Sequence, residues 1–209
     1  MSHAFDETFR RLVEDRCAAF ERQESAEADG LKHAAVAIAL VAAEHDPQQA
    51  ALLLTLRSPN LRSHGYQFAL PGGRCDPGES PVEAALRELH EELGVEAGPE
   101  DVLGVLDDYP TRSGYLITPI VVWTPGAAVV TPNPDEVHQV FRIPVNDVAP
   151  IEAFSFGAIA ESDRPLVRLH ILDDHIHAPT AAVIYQFREV IAGRPTRVAH
   201  LEQPVFAWR

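Results

Sequence analysis

A chain of 209 residues with 46% hydrophobic and 23% charged side chains is long enough to enclose a core and ordinary for a protein that folds in water. Its formal charge of −14, from 17 basic and 31 acidic residues, argues against a general nucleic-acid binder, which needs a basic footprint. Two cysteines, Cys17 and Cys75, make no disulfide framework, and no apolar run is long enough to cross a bilayer. The N-terminus is acid-rich and lacks the apolar stretch of a signal peptide, so a cytoplasmic location is expected.

The first predicted element is an amphipathic helix over residues 4 to about 27. It would turn Phe5, Phe9, Leu12, Val13, Ala19 and Phe20 to one side, to cover a sheet or support a homodimer. Strands follow at 32–43 and 50–57, joined by a hairpin loop at 45–49, and a short strand at 67–70 leads into Pro71-Gly72-Gly73. That glycine pair permits a tight turn and close backbone approach. Ser80-Pro81-Val82-Glu83 reads as a helix start: a capping serine, a proline suited to the first helical position, and a glutamate completing a capping box. Gly94 is placed to stop the helix. Over residues 81–93, Val82, Leu86, Leu89 and Leu93 share one face, and Glu88, Glu91 and Glu92 fall on roughly the opposite one. Three crowded carboxylates repel unless a cation sits among them, and hard divalent cations prefer carboxylate oxygen. The bland alternative is a solvated acidic face. Further strands fit 102–106, 116–123, 137–143 and 166–172, with a helical turn at 144–148 and a second long helix at 180–192 carrying Val183, Ile184, Phe187 and Ile191 inward. Val205, Phe206 and Trp208 in the tail suggest docking. This order predicts an α/β/α sandwich around one mixed sheet.

The run from Gly73 to Val95 fits G-x5-E-x7-R-E-U-x-E-E-x-G-U, U being aliphatic, at Gly73, Glu79, Arg87, Glu88, Leu89, Glu91, Glu92, Gly94 and Val95. These residues resemble the Nudix box, the signature of hydrolases that cleave nucleoside diphosphates linked to another group with Mg2+ or Mn2+. The resemblance implies the same α/β/α fold, an N-terminal helical extension at 1–30, a Nudix domain at 31–194, and a tail at 195–209 that packs on the domain or on a partner subunit. It implies that Glu88, Glu91 and Glu92 hold Mg2+ (or Mn2+), helped by a backbone carbonyl of Gly72 or Gly73. It also implies that Arg87 pairs structurally with Glu79; from helix spacing alone, Arg87 pairs equally with Glu83 or Glu91. Glu88 is the first choice of general base, and Glu136, in Asn133-Pro134-Asp135-Glu136, the alternate. Cys75, in the box loop, reads as a tolerated thiol rather than a redox or metal ligand.

Upstream, Leu53 to Gly73 resembles the extra motif of the coenzyme A pyrophosphatase subgroup at Leu53, Leu54, Thr55, Arg57, Ser58, Arg62 and Pro71-Gly72-Gly73. Two positions depart: Tyr66 stands where glycine is expected, and Leu70 replaces phenylalanine. Gly65 is placed to carry the displaced turn. Arg57 and Arg62 read either as bidentate phosphate ligands or as solubilising surface charge. His64 reads as a loop hydrogen-bonder. Downstream, Tyr109, Arg112 and Tyr115 are expected to line a nucleotide pocket by charge and stacking, although a strand-connecting turn explains the same segment. The implied substrate is coenzyme A or acyl-CoA. An ADP-ribose-type diphosphatase is the runner-up, from Pro110 fifteen residues after Val95, and a non-hydrolysing nucleotide sensor represents another class.

Overall fold

The computed structural model describes residues 3–25, 30–59, 65–124 and 129–205. The chain begins with α1 (Glu7–Ala19), β1 (Lys32–Ala42), β2 (Ala50–Arg57), β3 (Phe68–Ala69), β4 (Gly72–Arg74) and α2 (Pro81–Leu93). Then come β5 (Val102–Val105), β6 (Tyr109–Pro110), β7 (Tyr115–Trp123), β8 (Val137–Pro144) and a single turn, α3 (Val145–Val148). A hairpin extension of β9 (Phe154–Ile159), β10 (Ser162–Ile171) and β11 (Asp174–His177) precedes α4 (Thr180–Ile191).

The main sheet is mixed. β1 pairs with β7 in parallel from Lys32↔Tyr115 to Leu40↔Trp123, and antiparallel with β2 and β4. The path runs β3-β2-β1-β7-β5, with β8 added to β2 and β6 to β7, while β9, β10 and β11 form a separate three-stranded antiparallel sheet.

Period-two alternation divides the core between the two faces of the main sheet. Ala35, Ala37, Ala39 and Val41 of β1 join Leu53, Ile120 and Val122 beneath α2, whose Ala84, Ala85, Leu89 and Leu93 complete this cluster. The intervening Ile38 and Leu40 join Leu52, Leu54, Val121 and Trp123 on the other face, under α1 and α4. Full burial of one leucine such as Leu89 is worth about 1.5–3 kcal/mol. The result is an α/β/α sandwich whose α2 layer carries the box.

Several elements differ from the sequence-based expectation. α1 ends at Ala19, not near residue 27. Beyond it, the backbone N–H groups of Gln23 and Ser25 donate to Asp107 and Asp108, and Arg22 donates to Asp108 at 2.9 Å, so carboxylates replace helical acceptors. Cys17 is buried in the core, whereas Leu12 and Ala19 face solvent. The short strand expected at 67–70 is two strands separated at Leu70-Pro71. β9 and β11 were not anticipated. α4 buries Val183, Ile184, Phe187 and Ile191, and also Gln186, whose amide donates to Asp107 at 2.9 Å. Phe206 and Trp208 lie outside the described residues.

Candidate active site

Local chemistry fixes both ends of α2. The Ser80 hydroxyl accepts from the Glu83 N–H, Glu83 accepts from the Ser80 N–H at 2.8 Å, and Pro81 opens the first turn. Gly94 ends the helix at φ 64°, in the left-handed region, with its N–H returned to the His90 carbonyl. The helix does not divide into an apolar and an acidic half as its spacing suggested. Glu92 lies on the core-facing edge, only 2% exposed, beside Leu89 and Leu93. Glu88 is half-buried, and Glu91 is the solvent-facing member, its side chain 54% exposed.

Carboxylate oxygens of Glu88, Glu92 and Glu136 lie within 4.8 Å of one another. Glu136 reaches the helix because the segment before β8 is hooked to the end of α2: the Thr131 N–H donates to the Leu93 carbonyl at 2.7 Å, and the Asn133 N–H to that of Glu92 at 2.8 Å. A turn closed on the Asn133 carbonyl presents Glu136, whose own carbonyl accepts from the Ser58 N–H at 2.8 Å. Strand pairing places Arg57 opposite Val137, so Arg57 and Glu136 arrive together, and an Arg57 Nη1 stands 3.5 Å from Glu92 Oε1. The glycine pair completes the site. The Gly72 N–H points at Glu92 Oε2 at 3.3 Å. A Cβ on Gly73 would fall 2.2 Å from Glu88 Oε1, and one on Gly72 would fall 2.3 Å from the Ala35 carbonyl oxygen. Gly72 therefore needs glycine to clear the β1 backbone, whereas a side chain at Gly73 would displace the Glu88 carboxylate from its place.

Electrostatically the cluster is under-compensated. Burial pushes the Glu92 carboxyl up to about 7, with Glu88 and Glu136 adding to the rise and Arg57 and the Gly72 N–H opposing it. Glu88 is also raised by burial, against Arg87, with Glu91 and Glu136 assisting. Three hard oxygen donors at this spacing, one deeply buried beside a single arginine, suit a divalent cation such as Mg2+ or Mn2+. The chemistry of the donor set thus fits the cation.

Arg87 ties the surrounding loop together through five hydrogen bonds. Its Nε and Nη2 donate to the two oxygens of Glu79 at 2.8 and 3.0 Å, and Nη2 also to the Arg74 carbonyl at 3.0 Å. Its Nη1 donates to Glu88 and to Glu91, each at 2.9 Å. The Glu91 carboxylate is thereby turned toward Arg87 and is not in the close trio.

The upstream segment contributes Arg57 and Tyr66 to a cleft beside the trio. Arg62 and His64 lie outside the described residues. Tyr66 itself adopts the left-handed conformation, φ 58°, so the backbone shape that calls for glycine is kept at the same position and is not displaced to Gly65. Its ring is 59% exposed and lies 5.2 Å from that of His138, with its hydroxyl 3.4 Å from His138 Nε2. His138 was not anticipated; its place two residues after Glu136 on β8 is the only signal the sequence offers for it.

The downstream trio does not line this cleft. Tyr109 is 1% exposed and donates its hydroxyl to the Leu201 carbonyl at 2.7 Å, so it is a core residue. Arg112 binds the buried Glu202 through Nε at 3.2 Å and Nη2 at 2.7 Å, which anchors the segment after α4. Tyr115 accepts from Arg74 Nε at 2.9 Å, and the Lys32 and Arg74 cations stand 5.8 and 5.2 Å from its ring centre. All three are held by partners from β4 or the C-terminal segment, contacts that no local spacing announces.

A family model described as the NUDIX domain matches residues 31–167. The chain is 32% identical over 166 residues to the uncharacterized Nudix hydrolase NudL of Photorhabdus laumondii, covering 78% of this chain and 87% of that protein. It is 34% identical over 148 residues to the NudL of Pectobacterium atrosepticum, covering 69% and 77%. Among solved structures, the Nudix hydrolase RenU of M. smegmatis superposes with a TM-score of 0.52 at 22% identity, covering 80% of this chain and 90% of that one, a likeness of fold.

Proposed function

The chain belongs to the Nudix hydrolase family, and we propose that it hydrolyses the diphosphate linkage of a nucleoside diphosphate derivative, most specifically coenzyme A or acyl-CoA. The observation that carries this reading is the convergence of Glu88, Glu92 and Glu136 within 4.8 Å, with Arg57 against them. In this reading Glu88, Glu92 and Glu136 hold the divalent cation, with the backbone of Gly72 or Gly73 beside them. A bound Mg2+ or Mn2+ supplies charge neutralisation for the diphosphate and acidifies a water.

The remaining work falls to side chains. Arg57 offers a planar fork of N–H donors to phosphate oxygens. Glu88 is the first choice to accept the proton of the attacking water, with Glu136 as the alternate. Arg87 holds Glu88 and Glu91 in place while Glu79 holds Arg87. Water attack on one phosphorus, with departure of the other phosphate, turns coenzyme A into 3′,5′-ADP and 4′-phosphopantetheine.

Two features support the coenzyme A arm of the proposal over ADP-ribose. The matching segment Leu53–Ser58 delivers Arg57 to the cluster. By contrast, Pro110, which suggested ADP-ribose, lines a separate pocket with Arg112 and Arg164 that shares no residue with the Arg57 cleft. The described helices include none long and apolar enough to cross a membrane; a cytoplasmic location belongs to the same proposal. The test is a panel of coenzyme A, acetyl-CoA, ADP-ribose, NADH and diadenosine polyphosphates with Mg2+ or Mn2+, products separated by chromatography. Coenzyme A species should be cleaved fastest. Rapid ADP-ribose turnover without coenzyme A cleavage would overturn the substrate, and no cleavage of any member would overturn the activity in favour of a nucleotide sensor.

A further inference from the structure

The sheet of β9, β10 and β11 carries a histidine pair outside the candidate active site. Period-two alternation turns Leu169 of β10 and its partner Ile176 of β11 into the core, where both are buried. The next pair, His170↔His175, is therefore presented on the opposite face, and both residues are exposed. The hairpin closes just beyond, through Leu172-Asp173, and a two-residue turn fixes the register of the pair.

His170 Nδ1 and His175 Nδ1 stand 3.0 Å apart. Two imidazole nitrogens bound about 2.0–2.1 Å from one metal, at adjacent positions about 90–110° apart, lie roughly 2.8–3.4 Å from each other. The observed spacing falls within that window. His170 Nε2 is meanwhile 2.6 Å from the Ser155 hydroxyl of β9. With Nε2 donating to that oxygen, the lone pair of His170 lies on Nδ1, on the side of His175. A ligating histidine ordinarily has its other ring nitrogen tied in this way.

The surrounding charge favours a cation. His170 borders a groove of about 710 Å³ whose lining includes Glu44, Asp46 and Asp147. Arg142 is the one arginine among the described residues of that lining, and it donates to the Ala42 carbonyl at 2.9 Å. Arg168, two residues before His170 on the same face, opposes this field, so nitrogen lone pairs and not charge alone set the choice of ion. Imidazole favours Zn2+, Ni2+ and Cu2+ over hard Mg2+.

We propose that His170 and His175 chelate a transition-metal cation such as Zn2+ or Ni2+, with Ser155 orienting His170. The site shares no residue with the carboxylate trio, whose oxygen donors suit harder ions. Among the described residues no third histidine, cysteine or carboxylate joins the pair at the spacing of that trio, so the remaining positions go to water or a small anion. The gain is at the hairpin tip. Leu172 and Asp173 both hold φ 56°, where glycine or asparagine is usual, so the turn itself does little to close the hairpin. A metal bridging the strands clasps them one pair away from that turn.

The test titrates full-length, chelator-treated protein with Zn2+ by calorimetry, in millimolar Mg2+ to occupy the carboxylates. Wild type should bind with micromolar affinity. His170→Ala and His175→Ala should each weaken binding at least 10-fold, since losing one imidazole forfeits the chelate. His200→Ala, at an exposed histidine elsewhere on the chain, should stay within twofold of wild type. Hydrogen exchange gives a local readout: Zn2+ should slow backbone exchange across residues 170–177 in wild type and in neither variant of the pair. Circular dichroism establishes folding of each variant. Affinity within twofold of wild type in either folded variant of the pair, an equal loss in His200→Ala, only millimolar binding by wild type, or no slowing of its exchange at 170–177 would overturn the site.

Discussion

Glu92→Gln tests whether the buried carboxylate is a burden on the metal-free fold. Glu92 is 2% exposed, and its carboxyl sits near 7 against an ordinary 4.5. A difference of about 2.5 units at ~1.36 kcal/mol per unit gives ~3 kcal/mol of destabilisation once the group is ionised in both states. The folded state holds this proton more tightly than the unfolded state does. Stability is therefore greatest below about 4.5, falls as pH rises through 7, and stays low above it. Glutamine keeps the shape and an acceptor for the Gly72 N–H while removing the charge. In EDTA at pH 8 the variant should melt about 6–12 °C above wild type, at ~2–4 °C per kcal/mol for a chain of this size. At pH 4.5 the gap should shrink to about 2 °C or less, since wild-type Glu92 is then protonated when folded. Millimolar Mg2+ at pH 8 should raise the wild-type melt and leave the variant nearly unchanged. A variant that melts at or below wild type in EDTA at pH 8 would refute the reasoning, because ionised Glu92 would then be well solvated or fully paired.

The other predictions address the surrounding residues. Glu136→Gln should lower Mg2+-dependent kcat at least 100-fold with a melt within a few degrees of wild type in EDTA; near-wild-type turnover would remove Glu136 from the site. The two glycines should separate: Gly73→Ala, which meets the Glu88 side chain, should lose activity more than stability, whereas Gly72→Ala, which meets the Ala35 backbone, should unfold at markedly lower urea. At Tyr66, left-handed φ costs a non-glycine residue about 1–2 kcal/mol, so Tyr66→Gly should change urea stability by less than about 1 kcal/mol, while a β-branched Tyr66→Val should lose more. Burial raises Glu202, but Arg112, Ser162 and the Gln203 N–H outweigh it and hold the carboxyl at about 2. Its contribution is present above about 4.5 and lost as pH falls toward 2, and in Arg112→Met the acid transition should move to higher pH.

The box and the order of the principal strands were readable in the chain because they rest on local rules: a capping box, a helix-stopping glycine, and period-two alternation. The acidic face was misjudged for a physical reason. Periodicity assigns Glu92 to the polar side, but the Gly72 N–H and Arg57 make a buried carboxylate tolerable, and both come from distant strands. Tyr109 and Arg112 show the converse. Their residue types suit a nucleotide, yet a carbonyl at Leu201 and a carboxylate at Glu202, about ninety residues away, claim them. β11 escaped because a short, polar-faced strand such as Asp174–His177 carries little hydrophobic pattern. His138 escaped because its meaning depends on where Tyr66 lands.

The alanines of β1 have a consequence for the site above them. Ala35, Ala37 and Ala39 lie under α2, and their methyl groups decide how low the helix rides on the sheet. Glu88 and Glu92 travel with the helix, whereas Glu136 and Arg57 are bolted to the β8–β2 edge. The gap between the two groups is therefore set one layer down, by three side chains that touch neither substrate nor cation. Enlarging Ala37 to valine would lift one jaw of the site against the other, so these methyl groups act as a spacer for the opening that a cation must span.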